Sequence, residues 1–171
     1  MQRVAMLGRF QPVHTGHENA IRRAYSLGDV TVGIYSVSQS VYNPFTPDEV
    51  DKMLHNSFPD LKTFVIEPTW NPYRFVNMLE KGAQTTSIYT RSRRAKVLME
   101  MLGFSVIYEK KSGPNSSLIR NSIYDGSDGW KTWVNPLNVE IIESAARRPL
   151  AGPRVFSFGL MEDLYKHGIG F

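Results

Sequence analysis

Residues 3–17 read RVAMLGRFQPVHTGH, and this stretch already indicates the fold class of the 171-residue chain. Arg3–Leu7 is a short apolar run that stops at Gly8, which predicts a first β-strand. The polar segment that follows leads into Glu18–Leu27, where apolar residues recur at helical spacing. A strand, a glycine-containing loop and a helix in this order are typical of the start of an α/β domain.

The alternation of strands and helices continues along the chain. Val30–Tyr35 is continuous and rich in β-branched residues, as expected of a parallel strand buried on both faces. Thr46, Pro47 and Glu49 have the spacing of a capping box, which predicts a helix start. Further strands are predicted at Phe64–Ile66, Ser87–Tyr89 and Phe104–Tyr108, and further helices at Tyr73–Leu79, Ser92–Leu102 and Ser116–Tyr124. The pattern predicts a doubly wound parallel sheet with helices on both faces, which binds ligands beyond the carboxyl ends of its strands.

The pattern indicates one domain over residues 1–145. Residues 146–171 carry two prolines and several aromatic side chains without a clear period. We expect them to form an ordered but irregular tail that packs on the domain or on a neighbouring subunit.

Composition excludes several classes of function. Cysteine is absent, which rules out disulfides, catalytic thiolates and cysteine-based metal sites and favours a reducing, cytoplasmic compartment. No apolar run is long enough for a signal peptide or a membrane span. Lysine and arginine number 20 against 16 acidic residues, and between Thr90 and Arg120 there are seven basic and two acidic side chains. The excess is too weak to argue for nucleic acid or a membrane, but its concentration in one segment suits an anionic ligand.

The loop between the first strand and helix predicts an anion site. Gly8 and Gly16 would let the main chain approach a ligand, and the first amides of the helix are expected to be unpaired. His14 and His17 are spaced so that both rings can face one phosphate, and Arg9 adds a guanidinium fork. Histidines without a neighbouring nucleophile suit charge stabilisation at phosphorus better than proton abstraction. With one carboxylate nearby, a metal site held by the protein is not expected.

Three segments carry a resemblance to a known family. His14-Thr15-Gly16-His17 resembles the HxGH signature of the adenylyl- and cytidylyltransferase superfamily, and Gly8–His17 resembles the archaeal-type branch of nicotinamide mononucleotide (NMN) adenylyltransferases. Asn43–Glu49 is similar to the family segment Asn-Pro-Phe-Thr-x-x-Glu. Ser116–Arg120 is similar to a second superfamily signature, Ile-Ser-Ser/Thr-x-Ile-Arg. The resemblance covers about residues 3–143 and implies a Rossmann-like nucleotidyltransferase domain.

The resemblance implies transfer of AMP from ATP to NMN, which gives NAD and pyrophosphate by direct in-line attack. Mg²⁺ would be bound through the ATP phosphates, and the protein would be a homo-oligomer. Because the substrate carries the nucleophile, the protein needs only to position reactants and stabilise charge. The resemblance implies three sets of site residues. The catalytic residues are Arg9, His14, His17 and Arg120, and the NMN contacts are Asn43, Trp70 and Phe75. The ATP contacts are Gly8, Phe10, Gln11, Gly16, Thr90, Ser116, Ser117 and Ile119.

Two loops add detail to this assignment. Ser116 and Ser117 look like the N-cap and first turn of a helix whose amides hold the β- and γ-phosphates. The family loop that holds adenosine usually reads Thr/Ser-Gly-Asn, whereas here Arg91-Ser92 follows Thr90. The basic cluster that begins at Arg91 is either a solvated helix face or an additional phosphate contact.

The nicotinamide-stacking position of the family falls on Phe75, with Trp70 and Tyr73 as alternatives.

Two other functions stay open. The first is the same chemistry on another phosphorylated acceptor, such as phosphopantetheine, or glycerol phosphate with CTP. The second is a non-catalytic nucleotide-binding module, which the presence of both histidines and Arg120 disfavours.

Overall fold

The computed structural model of the chain describes residues 2–110 and 113–149. These residues form a five-stranded parallel sheet and six α-helices, joined in strict alternation as far as the fifth helix. The strands are β1 (Arg3–Gly8), β2 (Asp29–Tyr35), β3 (Lys62–Ile66), β4 (Ser87–Thr90) and β5 (Ser105–Tyr108). The helices are α1 (Thr15–Tyr25), α2 (Pro47–Ser57), α3 (Pro72–Ala83), α4 (Arg93–Met101), α5 (Ser116–Tyr124) and α6 (Val139–Ala146). Short 3₁₀ turns at Gly129–Trp133 and Pro136–Asn138 connect α5 to α6.

The strand order places a ligand crevice beside β1. The sheet runs β3-β2-β1-β4-β5, so the chain proceeds outward from β1 in one direction and then returns to its other side. The crossovers on the two sides lie on opposite faces of the sheet, which opens a crevice at the carboxyl ends of β1 and β4. The predicted doubly wound sheet is therefore confirmed, and the loop after β1 lies at its switch point.

The sheet buries a separate apolar core on each face. Val4 and Met6 of β1 face a core that includes α1, α2 and α6, whereas Ala5 between them faces a core with α3 and α4. This alternation follows from the two-residue period of a strand. Because β1 is covered on both faces, its carboxyl end is a rigid support for the loop that follows.

Local sequence signals predicted the start of α2 correctly and the start of α1 incorrectly. The predicted capping box of α2 is confirmed, since Thr46 Oγ1 accepts from the Glu49 amide at 3.2 Å and the Glu49 carboxylate accepts from the Thr46 amide at 2.9 Å. The expected start of α1 at Glu18 is wrong, because the helix begins at Thr15. The histidine that precedes Thr15 caps the helix, and histidine is not among the residues that usually predict an N-cap.

The predicted tail, residues 146–171, lies largely outside the described residues. The last part that the structure describes is joined to the domain by Arg148, which donates two hydrogen bonds to the Glu49 carboxylate at the start of α2.

Within residues 2–110 and 113–149, no helix has the length and apolar character needed to cross a membrane.

The Glu49–Arg148 ion pair predicts a pH-dependent contribution to stability. Burial raises the pKa of Glu49, but the hydrogen bonds from Arg148 and Thr46 outweigh it and leave the pKa below its ordinary value. The folded state therefore binds this proton more weakly than the unfolded state, so the stabilisation is complete above about pH 4.5 and is lost as the pH falls through the folded pKa.

Replacing Arg148 with methionine is expected to lower the free energy of unfolding by about 1 kcal/mol at neutral pH. The difference from wild type should shrink below about pH 4, since Glu49 then protonates. Urea unfolding from pH 3 to 8 measures both values. Arg147→Met is the matched control, because Arg147 is exposed and its nearest carboxylate oxygen, on Glu143, is 3.8 Å away. A difference that does not vary with pH would contradict the prediction.

Candidate active site

His14 organises the start of α1. Its Nδ1 accepts a hydrogen bond from the Gly16 amide at 3.0 Å, and its carbonyl oxygen accepts from the His17 amide at 2.7 Å. Two of the helix amides that the sequence predicted to be unpaired are therefore bonded to this residue. Its ring is 1% exposed and lies against the His17 ring, with centroids 3.9 Å apart. The histidines do converge, with His14 beneath and His17 nearer to the solvent.

Gly16 is enclosed by neighbouring groups. A Cβ at this position would lie 2.8 Å from His14 Cε1 and 3.1 Å from the carbonyl oxygen of Pro114. Pro114 belongs to the segment before α5, so the missing side chain lets that segment approach α1. The absence of a side chain thus serves the packing of two loops, in addition to the expected approach of a ligand.

Replacing Gly16 with alanine is expected to destabilise the fold by about 2 kcal/mol and to lower any activity of the site by at least about tenfold. The added methyl group must displace either the buried His14 ring or the Pro114 main chain. Thermal melting and a turnover assay measure the two effects. Gly129→Ala is the control, since a Cβ at Gly129 meets nothing within 4 Å. Equal melting temperatures for the two variants would contradict the packing argument.

Phe10 supports His17 from below. The Phe10 ring is 2% exposed, meets the His17 ring edge-on with centroids 5.0 Å apart, and its backbone has a φ of +51°. A Cβ on Gly8 would lie 2.9 Å from this ring, so Gly8 leaves room for Phe10. These two residues, expected among the ATP contacts, therefore shape the floor under His17.

Gln11 joins the first loop to the segment before α2. Its side-chain amide donates to the Phe45 carbonyl and accepts from the Phe45 amide, each at 2.9 Å. Gln11 is buried, and this paired contact satisfies its side-chain nitrogen and oxygen. The side chain of Gln11 thus fixes Phe45 beside the loop after β1, and the expected contact of Gln11 with ATP stays a prediction.

Arg9 connects the phosphate loop with the same segment. Its Nη1 donates to Asn43 Oδ1 at 3.3 Å, and Asn43 is itself buried. The structure therefore brings together a residue expected at the ATP phosphates and one expected at NMN. Such a pair suits a site in which two substrates meet.

Arg120 ties α5 to the first loop. It donates to the Gln11 carbonyl oxygen at 2.6 Å through Nη1 and to Ser117 Oγ at 3.2 Å through Nη2. The expected N-cap is wrong: Asn115 caps α5 by accepting from the Leu118 amide, so Ser116 and Ser117 both lie in the first turn. Asparagine is a strong N-cap, so the sequence did contain this signal.

At the start of α5, the main-chain amides and the side chains are placed differently with respect to a bound anion. Amides in the first turn of a helix point toward its N-terminus, which is where an anion binds. Ile119 is completely buried in the core, so any ligand contact that it makes is through the main chain.

Two guanidinium groups share this end of the sheet. Burial lowers the pKa of Arg9, and burial followed by the positive charge of Arg9 lowers the pKa of Arg120. Arginine stays protonated at working pH in spite of such shifts. Two cations at the loop after β1, Arg9 bonded to Asn43 and Arg120 to the Gln11 carbonyl oxygen, favour binding of a polyanion there.

The loop after β4 approaches the site from the other side of the crevice. Thr90 is buried and its Oγ1 accepts from the Ser92 amide at 3.2 Å, while Arg91 donates from Nη1 to the Gly16 carbonyl oxygen at 2.9 Å. Arg93 and Arg94, at the start of α4, are exposed. The basic cluster is therefore split between one residue that contacts α1 and two on the surface.

The aromatic candidates for the nicotinamide site differ in exposure. Phe75 is 7% exposed and packs in the core between α3 and the sheet, so its ring is not available for stacking. Trp70 is 58% exposed and Tyr73 is 85% exposed, and both lie where the chain passes from β3 to α3. The periodicity of an amphipathic helix explains the burial of Phe75, since Leu79 lies one turn further on the same face.

A family model described as cytidylyltransferase-like matches residues 5–133. The chain belongs to this family. The match includes the loop after β1, the crevice and α5, and it confirms the resemblance to the nucleotidyltransferase superfamily.

Curated relatives of this cytidylyltransferase-like chain include archaeal proteins. A nicotinamide-nucleotide adenylyltransferase of Methanoculleus marisnigri is 29% identical over 154 residues, which cover 83% of this chain and 90% of the relative. One of Archaeoglobus fulgidus is 28% identical over 159 residues, with coverage of 82% and 90%.

A solved structure shows the same fold. The crystal structure of a bifunctional NMN adenylyltransferase/ADP ribose pyrophosphatase from Francisella tularensis, complexed with AMP and a Mn ion, superposes with a TM-score of 0.67 at 17% identity. The match covers 96% of this chain and 54% of that longer one. At this identity the likeness concerns the fold alone.

The side chains of the cytidylyltransferase-like site fit an anion better than a metal ion. Within residues 2–110 and 113–149, no three histidine or acidic side chains converge as ligands. Around the crevice the structure instead places arginine, whose charge attracts phosphate and repels cations, and histidine, whose ring nitrogens can bond to phosphate.

Several contacts of the site were not predictable from sequence. They join residues far apart in the chain: Gln11 to Phe45, Arg91 to Gly16, and Arg120 to Gln11. No periodicity or local motif links the members of these pairs.

Proposed function

We propose that the protein is a nicotinamide-nucleotide adenylyltransferase, which transfers AMP from ATP to NMN and releases pyrophosphate. The observation that carries the proposal is the placement of Arg9, His17 and Arg120 at the loop after β1, where Arg120 donates to the Gln11 carbonyl oxygen at 2.6 Å and His17 packs on Phe10. This arrangement supplies positive charge for a triphosphate and no nucleophile of its own. The names of both archaeal relatives support the choice of NMN as acceptor.

The proposed reaction is a single displacement at phosphorus. An oxygen of the NMN 5′-phosphate forms a bond to the α-phosphorus of ATP, while the bond from that phosphorus to the bridging oxygen of the β-phosphate breaks. Pyrophosphate takes the electron pair of the broken bond. Catalysis then consists of aligning the two substrates and stabilising charge on the transferring group.

The residues around β1 divide this work. His17, held against His14 and Phe10, would donate a hydrogen bond to the α-phosphate as its charge develops. Arg120 and the first-turn amides of Ser116 and Ser117 would hold the β- and γ-phosphates of the leaving group. Each of these donors is held by a packed element, so little reorganisation is needed during the reaction.

The acceptor would bind on the opposite side of Arg9. Asn43 is bonded to Arg9 and is held in place through Phe45 and Gln11, which suits contact with the phosphate or ribose of NMN. Trp70 is the exposed aromatic side chain that we propose for stacking on the nicotinamide ring, in preference to Phe75.

Mg²⁺ belongs to this proposal as part of the nucleotide. The described residues at the crevice do not form a metal cage, and we propose that the ion enters bound to the ATP phosphates. We also propose a cytoplasmic location, which the cysteine-free composition supports, and a homo-oligomeric state, which light scattering on the purified protein would test.

A coupled assay tests the function. The purified protein is incubated with ATP, Mg²⁺ and NMN, and NAD formation is followed through an NAD-dependent dehydrogenase, with pyrophosphate measured in parallel. NAD and pyrophosphate in equal amounts support the proposal. Pyrophosphate with phosphopantetheine, or with glycerol 3-phosphate and CTP, but none with NMN would contradict the acceptor. No pyrophosphate with any acceptor would contradict the enzyme assignment.

A further inference from the structure

We infer that Arg91 is a positioning residue that holds His17 in its active orientation by binding the Gly16–His17 peptide. The inference rests on the proposed function and extends it to a residue that the family pattern does not supply, since the family loop usually has glycine at this position. Arg91 acts through α1 and is not assigned a contact with either substrate.

The geometry places both ends of one peptide unit under restraint. Arg91 Nη1 donates to the Gly16 carbonyl oxygen at 2.9 Å, and the amide of His17, in the same peptide plane, donates to the His14 carbonyl oxygen at 2.7 Å. Rotation of this plane would break at least one of the two bonds. The direction in which the His17 side chain leaves the backbone is therefore set from both sides.

The Gly16 carbonyl oxygen has room for this second bond. A helical carbonyl oxygen has two lone pairs and uses one in the helix ladder, so an additional charged donor can bind without opening the helix. Gly16 has no side chain to obstruct the approach, and its Cα side is filled by the His14 ring and Pro114. The first turn of α1 is thus enclosed by the loops after β1, after β4 and before α5.

The burial of Arg91 distinguishes it from the rest of the basic cluster. Arg91 is half-buried, whereas Arg93 and Arg94 are exposed on α4. A hydrogen bond from a charged donor to a partly buried carbonyl oxygen is stronger than a solvated contact. Arg91 is therefore not on a solvated helix face, because its guanidinium group contacts the main chain of α1.

The contact also connects the two sides of the crevice. Arg91 follows β4 directly, and Gly16 lies in the helix that follows β1, so the bond spans the switch point. Under the proposed function, loss of this bond loosens His17 at the transferring phosphate and leaves the substrate contacts in place. The expected effect therefore falls on turnover, with little change in substrate affinity.

The first test measures kinetics of Arg91→Ala and Arg91→Lys. We expect kcat of the alanine variant to fall about 10- to 100-fold, with KM for ATP and NMN within about threefold of wild type. Lysine keeps the charge and should restore part of kcat, as should added guanidinium ion with the alanine variant. Arg23→Ala is the matched control, because Arg23 lies at the other end of α1 and donates to Glu109 at 3.3 Å. Unchanged kcat, or a rise in KM for ATP alone, would overturn the inference.

The second test does not require activity. Histidine ring signals in a ¹⁵N-labelled sample are compared between wild type and Arg91→Gln, which keeps a side chain of similar length. The His17 signals are expected to shift or broaden while those of His55, which lies on α2, stay unchanged. Unchanged His17 signals would overturn the positioning role. If wild type forms no NAD but these signals move, the proposed function fails while the Arg91 contact stands.

Discussion

Replacing His17 with alanine is expected to lower turnover by about 10²–10³-fold while the free energy of unfolding changes by less than about 1 kcal/mol. The ring lies between the buried Phe10 and His14 rings below it and the crevice above it. Under the proposed mechanism, its loss removes a positioned hydrogen-bond donor from the transferring phosphate. The backbone at this position is the first turn of a helix, where alanine is favourable. Single-turnover formation of NAD and urea unfolding measure the two quantities.

The matched variant for this test is His55→Ala. His55 is on α2, close to the Asp51 carboxylate at 3.4 Å, and takes no part in the crevice. It should retain wild-type turnover. His17→Asn provides a second check, since it keeps a hydrogen-bond donor but shortens its reach, and we expect intermediate activity. Turnover of His17→Ala within about threefold of wild type would contradict the proposed mechanism.

Arg120→Ala is expected to reduce kcat/KM by about 10²–10³-fold and to destabilise the protein by about 1–3 kcal/mol. The first effect follows from the role proposed for Arg120, a partly buried cation that would bind the leaving pyrophosphate. The second follows because the Gln11 carbonyl oxygen and Ser117 Oγ lose their shared donor. Pyrophosphate release and thermal melting would be measured on the same preparation.

Arg120→Lys separates charge from geometry. Lysine restores a positive charge but cannot donate to Gln11 and Ser117 with the fixed fork of a guanidinium group. We therefore expect it to recover a minor part of kcat/KM. Arg3→Ala serves as the control, because Arg3 donates to Gln84 at the amino end of the sheet, remote from the crevice. A lysine variant as active as wild type would show that charge alone is sufficient.

Much of the fold could be predicted because its signals are local. The apolar run at the start of the chain, the β-branched stretch of β2 and the capping box of α2 are each contained within a few residues. Their alternation left few topologies for the sheet. The errors arose where a cap was unusual or displaced by one residue, as at His14 and Asn115.

The candidate site was predicted less completely, and the residues concerned explain why. Phe75 was expected to stack on a ligand, but the helix that carries it turns its ring into the core. Gln11 is predicted to contact ATP, and the structure adds that its side-chain amide is bonded to the main chain of Phe45. In both cases the residue type was compatible with either role, and only the neighbouring elements distinguish them.

The sequence by itself determined the alternation of strands and helices, the placement of the histidine loop at the end of the first strand, and the local excess of positive charge. These follow from periodicity, capping and composition, which act over short distances along the chain. The tertiary structure alone decided which of those groups meet. The contacts of Arg91 with Gly16, of Arg120 with Gln11 and of Gln11 with Phe45 join segments between 34 and 109 residues apart. Such pairs come together because the sheet order places separate loops around one switch point, and no short-range pattern encodes that order.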